Sequence, residues 1–212
     1  MTQTGLREAK REATAHALAQ AAYELAREYG LDGFTIDDVA ARAGYSRRTF
    51  ANHFSGKEEA VVAVAAEQVR HALDAAPAAD DLPLLDWLHG VARQQLGGGL
   101  LVVLRDLRGM AASHPSLRPH LLEVQAQIRE TARRAVIARL DERTSPAYAH
   151  LLVGAAYGAL TCVLDGDLPV RLDGVSDHAP TDDLEATPTL DHFLTTTFGY
   201  LRTGFGRAPG AG

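Results

Sequence analysis

The chain is predicted to be all-α, with a small N-terminal head of short helices (residues 1–56) ahead of a larger C-terminal helical body (residues 57–212). Three observations predict this. Hydrophobic residues make up 46% of the 212 positions and aromatics only 6%, and much of the apolar share is Ala and Leu, which suit helices better than strands. Apolar positions recur every three or four residues over most of the chain. Ser or Thr stands ahead of several of these runs and Gly behind them, as helix caps and stops do.

Each element follows from that pattern. Residues 7–29 place Leu18, Ala21, Ala22, Leu25 and Tyr29 on one helical stripe, and Gly30 with Leu31-Asp-Gly33 ends it in a turn. Thr35 with Asp38 three residues on reads as a capping-box start for a short helix with Ile36, Val39, Ala40 and Ala43 on its apolar face, stopped by Gly44. Ser46 is a good N-cap for a third short helix carrying Arg47 to His53. Ser55-Gly-Lys-Glu58 reads as another capping box, opening a helix to about Leu73. The break AAPAADDLP precedes a helix over Leu84–Leu96. Helical pattern resumes over 100–112 and, after His114-Pro115, over Leu117–Leu140. Pro146 suits the first turn of a helix reaching Leu164. Residues 165–188 read as a long acidic loop rich in Gly and Pro, 189–203 as a last helix, and the Gly/Pro/Ala tail as frayed. No internal repeat is visible.

Composition excludes several classes of function. No run of about 18 uninterrupted apolar residues occurs, so no membrane span is expected. The charged N-terminus has no apolar segment of the kind an export signal needs. The single cysteine, Cys162, forbids an intrachain disulfide and suits a reducing cytoplasm, where it reads as a buried core thiol. Neither a metal nor another cofactor is expected. His71, His89, His114, His120, His150, His178 and His192 are scattered without His-x-x-x-His or Cys-x-x-Cys spacing. The glycines at 97–99 lack the Lys-Ser/Thr of a phosphate loop, and no Gly-x-Ser-x-Gly or paired nucleophile and base is present, so no enzyme is expected. The net charge of −6 argues against indiscriminate coating of nucleic acid. The charge is unevenly spread, however. Residues 1–57 hold eight Lys/Arg against seven Asp/Glu, leaving 13 of 21 basic and 20 of 27 acidic residues for the remainder. An acidic body with a near-neutral head is compatible with DNA binding confined to the head.

A helix, a Gly-containing turn and a second short helix form a helix-turn-helix arrangement. The run TIDDVAARAGYSRRTFANHF (35–54) with SGKEE (55–59) resembles the DNA-binding head of TetR-family regulators, over about residues 10–65. The resemblance implies that the Ser46-capped helix enters a major groove. Arg47 and Arg48 at its first turn are then suited to guanine O6 and N7, and Thr49 to a thymine methyl or a phosphate. Phe50 and Phe54, four apart, would lie on the buried side and hold a helix too short to stand alone. Thr35, Tyr45, Ser46, Asn52, His53 and Lys57 complete the expected DNA-contact set, Lys57 by bringing a phosphate to a helix N-terminus. The sequence departs from the family pattern at Ala51, where an aromatic often packs on the DNA backbone.

The resemblance also implies a homodimer on a palindromic operator, released by a small-molecule effector, with repression as the family default. An activator or ligand-independent regulator is the alternative, followed by a helical small-molecule-binding protein without DNA function. Leu151, Leu152, Ala155, Ala156, Ala159, Leu160, Phe193, Phe198, Tyr200 and Leu201 are the candidate dimer face, with Gly154 and Gly158 allowing close helix approach. Trp87, Val91, Leu104, Leu107, Met110, Leu121 and Tyr157 are the candidate effector lining.

Overall fold

The computed structural model describes residues 3–75, 82–141, 144–171 and 187–204. Most of the loop expected over 165–188, including His178, lies outside the described residues. So do 205–212 of the expected tail and 76–81 of the expected break. The described helices are α1 (Gln3–Tyr29), α2 (Ile36–Arg42), α3 (Arg47–Ala51), α4 (Lys57–Ala75), α5 (Leu84–Gln95), α6 (Leu101–Ser113), α7 (Leu117–Ile137), α8 (Pro146–Asp165) and α9 (Leu190–Thr203). A 3-10 turn at Leu31–Gly33 follows α1, and a widened turn at Leu96–Leu100, with Gly99 at φ 99°, joins α5 to α6. Among the described residues the one β feature is an isolated bridge between Arg171 and Thr189. The fold is therefore all-α, as the sequence predicts.

Two compact units divide the chain: Met1–Val69 with Val102–Ile128, and Arg70–Leu101 with Arg129–Gly212. The first contains the whole of the 1–56 head. Its core is built on the predicted stripe of α1, with Leu18, Ala21, Ala22 and Leu25 all buried, together with Val39, Phe50, Val61, Leu104, Leu107 and Leu117. Tyr29 departs from the expected stripe and is 60% exposed. It is the last residue of α1. Gly30, at φ 73°, turns the chain so that Leu31, 2% exposed, enters the core instead. A buried Tyr23 Oη donates to Asp106 Oδ2 at 2.7 Å, and Arg27 Nε meets the same carboxylate at 3.1 Å, so α1 and α6 share one polar clasp. Burial and the adjacent Asp106 carboxylate push the Tyr23 phenol well above its ordinary range, so it stays a donor.

The second unit has a core of Trp87, Val91, Val136, Ala149, Leu152 and Val153. The Arg139 guanidinium lies 3.7 Å from the Trp87 ring centroid and covers that side of the core. Helices α5 and α9 meet along a seam with an ion pair at each end: Asp86 with Arg202, and Arg93 with Asp191 at 2.6 Å. Between the pairs, the His89 ring stacks on Phe198 at 4.8 Å. Pro146 starts α8 as expected, with the Ser145 hydroxyl accepting from Ala147 N. By length and composition α8 is apolar enough to cross a membrane (mean hydropathy 1.5), yet only 22% of that stretch is buried within the chain. Two residues of the expected dimer face, Leu152 and Phe198, are buried inside this unit because they point at α5. Leu151 is 73% exposed. An apolar cleft of about 380 Å³ runs between α8 and α9, lined by Ala155, Ala159, Phe193, Thr197, Tyr200 and Leu201 among others.

Candidate nucleic-acid interface

The site is assembled by three short-range devices. Thr35 caps α2 by a reciprocal box: its hydroxyl accepts from Asp38 N, and its own backbone N donates to Asp38 Oδ2 at 2.8 Å. The Thr35 hydroxyl proton also goes to that carboxylate, at 2.7 Å. These bonds hold the Asp38 carboxyl below its usual range. The end of α2 closes by two bonds, Gly44 N to Ala41 O at 3.1 Å and Tyr45 N to Ala40 O at 2.8 Å. With Gly44 at φ 75° this is a Schellman closure, and it fixes the short turn into the next helix. Ser46 then caps α3, its Oγ accepting from Thr49 N at 3.1 Å and lying 2.9 Å from Thr49 Oγ1.

Helix α3 is only five residues long and depends on packing to persist. Phe50, 1% exposed, and Phe54 are buried as their spacing predicts, with ring centroids 5.7 Å apart. On α3 and its cap, Ser46, Arg47, Arg48, Ala51 and Asn52 are exposed and Thr49 is half-buried. An Arg42–Glu28 fork, with bonds of 2.6 and 2.7 Å, ties α2 back to α1. The supporting helix is thus fixed at both ends before α3 begins.

The expected contact residues fall into two sorts. The side chains of Arg48 and Asn52 stand exposed, with no hydrogen bond or ion pair of their own among the described residues. The others already have partners within the head. Arg47 Nη1 bonds Asp37 Oδ2 at 2.7 Å, although both side chains remain more than 60% exposed. Tyr45 Oη lies 3.5 Å from Thr14 Oγ1 on α1, at the limit of a hydrogen bond. His53 is half-buried beside Phe54. Burial, and then the nearby Arg11 charge, lower its pKa, which favours the neutral imidazole.

Lys57 shows the largest difference from its expected setting. Rather than standing free at the start of α4, its ammonium donates to Leu31 O at 2.7 Å and Phe34 O at 3.0 Å, and lies 5.0 Å from the Phe34 ring centroid. Two carbonyls of the α1–α2 turn thus take up two of the three ammonium N–H groups. At the same junction, it is Glu59 that reaches back to Ser55, bonding its backbone N and its hydroxyl, where Glu58 was expected. Asp37 was not among the expected site residues, and its partner lies ten positions away on another element, where no helical spacing can reveal it.

The candidate effector lining divides between the two units. Trp87 and Val91 are core residues of the second, and Tyr157 lies there 4.9 Å beneath the Arg129 guanidinium. Leu104 and Leu107 are buried in the first unit, which also holds Met110. Leu121 lines a cleft there of about 360 Å³ with Arg108, Ala111 and Arg118. Among the described residues no cluster of His, Cys, Asp or Glu could hold a metal ion.

Residues 18–64 match the family model described as bacterial regulatory proteins, tetR family. No curated protein matches the chain. Among solved structures, it is similar to the fatty acid degradation regulator FadR from Bacillus halodurans, with 14% identity over 92% of this chain and 97% of that one at a TM-score of 0.50. It is also similar to Thermus thermophilus FadR, a TetR-family transcriptional repressor in complex with lauroyl-CoA, with 17% identity over 93% and 98% of the two chains at a TM-score of 0.49. At 14% identity the likeness to the Bacillus protein is one of fold.

Proposed function

We propose that this chain is a DNA-binding transcriptional regulator of the tetR family, and that it is a ligand-responsive repressor that binds a palindromic operator as a homodimer and is released by a small molecule. The observation that carries the DNA-binding side is the head itself. A five-residue α3, pinned by Phe50 and Phe54 and capped by Ser46, turns Arg47, Arg48 and Asn52 outward from a fixed support. Arg47 and Arg48 supply donors for base edges, and Thr35, Tyr45, Ser46, Thr49, His53 and Lys57 surround them as backbone contacts. With two of its N–H groups already on the carbonyls of Leu31 and Phe34, the Lys57 ammonium has one donor left for a phosphate.

Dimerisation is supported by α8, whose apolar length is mostly open within one chain, and by the cleft it forms with α9. Effector binding is supported by apolar side chains in both units: Trp87, Val91 and Tyr157 in one, Leu104, Leu107, Met110 and Leu121 in the other. Trp87 is the only tryptophan, so its emission reports on its own surroundings.

The test is a fluorescence-anisotropy titration of the protein onto DNA flanking its own coding region, against a scrambled duplex at two salt concentrations. Tight, sequence-dependent binding that a small molecule reverses, with a change in Trp87 emission, is the expected result. Sequence-dependent binding that no effector alters would leave the regulator and remove ligand release.

A further inference from the structure

The head presents a carboxylate where a polyanion is to dock. Asp37, in the first turn of α2, is an exposed acid that holds Arg47, in the first turn of α3, at 2.7 Å. An exposed ion pair contributes little to fold stability, and the α2 cap does not need this carboxylate, because Asp38 closes the box with Thr35. A negative charge at such a place is also repelled by phosphate. What the pair does accomplish is geometric. It binds one of the five guanidinium N–H groups of a long, otherwise free side chain and leaves the remaining donors open to solvent. Neighbouring Arg48 has no such partner among the described residues.

We infer that Asp37 is a specificity-determining positioning residue, which fixes the Arg47 guanidinium in the orientation that reads one base position. The inference rests on the reading of α3 as the DNA-contacting helix. A base edge requires two aligned hydrogen bonds from a planar fork, whereas a phosphate accepts a cation from many directions. Holding the fork beforehand therefore favours base discrimination over general affinity.

The experiment uses duplexes enriched by the wild-type protein from a randomised pool, with each position then substituted in turn. Wild type, Asp37→Asn, Asp37→Glu, Arg47→Ala and the Asp37→Asn/Arg47→Ala double variant are titrated at two salt concentrations, with thermal melts confirming that each is folded. Asp37→Asn is expected to lose about tenfold in discrimination, at the same base position that Arg47→Ala relaxes. Its salt dependence should match wild type, Asp37→Glu should recover part of the loss, and the double variant should be no worse than Arg47→Ala. An Asp37→Asn protein that binds every duplex more tightly with an altered salt slope would overturn the inference and make Asp37 a phosphate repeller only. A change at a base position that Arg47→Ala leaves intact would also overturn it, because Asp37 would then act without Arg47. Wild-type preferences at every position in Arg47→Ala would instead overturn the role of Arg47 itself, whatever Asp37→Asn does.

Discussion

At the residue scale, the sequence reveals interactions that close within a helical turn and hides those that do not. Thr35 with Asp38 and Ser46 with Thr49 are three apart, and both are found as capping pairs. Lys57 has its partners 26 and 23 positions back, so its spacing suggested only a cation at a helix start, whereas the folded chain supplies two carbonyls. Lys57→Met should therefore destabilise the protein by about 1–3 kcal/mol, because two charge-assisted hydrogen bonds are lost and their acceptors stay in a half-buried turn. Urea unfolding checks this, and an unchanged midpoint would return Lys57 to the role of a surface cation. Arg48 has no partner among the described residues, so Arg48→Ala should leave the unfolding midpoint in place. It should weaken binding to the selected site by about 1–3 kcal/mol, read by anisotropy.

At the element scale, periodicity and caps were enough to find every described helix to within a few residues, because the apolar period marks each stripe and a glycine, a proline or a break in the pattern marks most of the ends. Tyr29 falls off its stripe because the turn after it delivers Leu31 to the same part of the core. No spacing within one helix could show that. The anchor of α3 is Phe50, and Phe50→Ala should cost about 3–5 kcal/mol and abolish operator binding, measured by urea unfolding and anisotropy. The α5–α9 seam carries a pH dependence. Burial, and then the charges of Arg202 and Arg93, hold His89 below the usual histidine value of 6.5, against the opposing Asp191 and Asp86. The unfolded chain then takes up its proton first as the pH falls. The contribution of His89 is thus complete above about pH 6.5 and is lost progressively below it. Melting midpoints at pH 7.5 and 5.5 should differ more in wild type than in His89→Phe, which keeps the stack on Phe198 but cannot titrate. Equal pH differences in the two proteins would show that His89 does not carry this pH dependence.

At the scale of the whole molecule, the fold class was legible from composition and period, while the division into two units was not. Residues 102–128 join the head and 129–212 the other unit, a grouping set by tertiary packing across the continuous helices α4, α6 and α7. The open face of α8 gives a test of assembly. A Cβ at Gly154 would meet nothing within 4 Å in its own chain. Gly154→Leu should consequently leave the monomer fold at least as stable, since Leu favours helix by roughly 0.5–1 kcal/mol over Gly, yet keep a second copy from closing on α8. Light scattering should then show a dimer for wild type and a monomer for the variant, and a dimer in both would move the interface elsewhere. Whether the head reads DNA sequence is tested most plainly by selection of duplexes by this protein from a randomised pool. Enrichment of a palindrome with half-sites about 10 base pairs apart, lost together with binding in the Arg47→Ala/Arg48→Ala protein, is the predicted result. A pool that stays random through successive rounds, retained only weakly and released by salt, would contradict it.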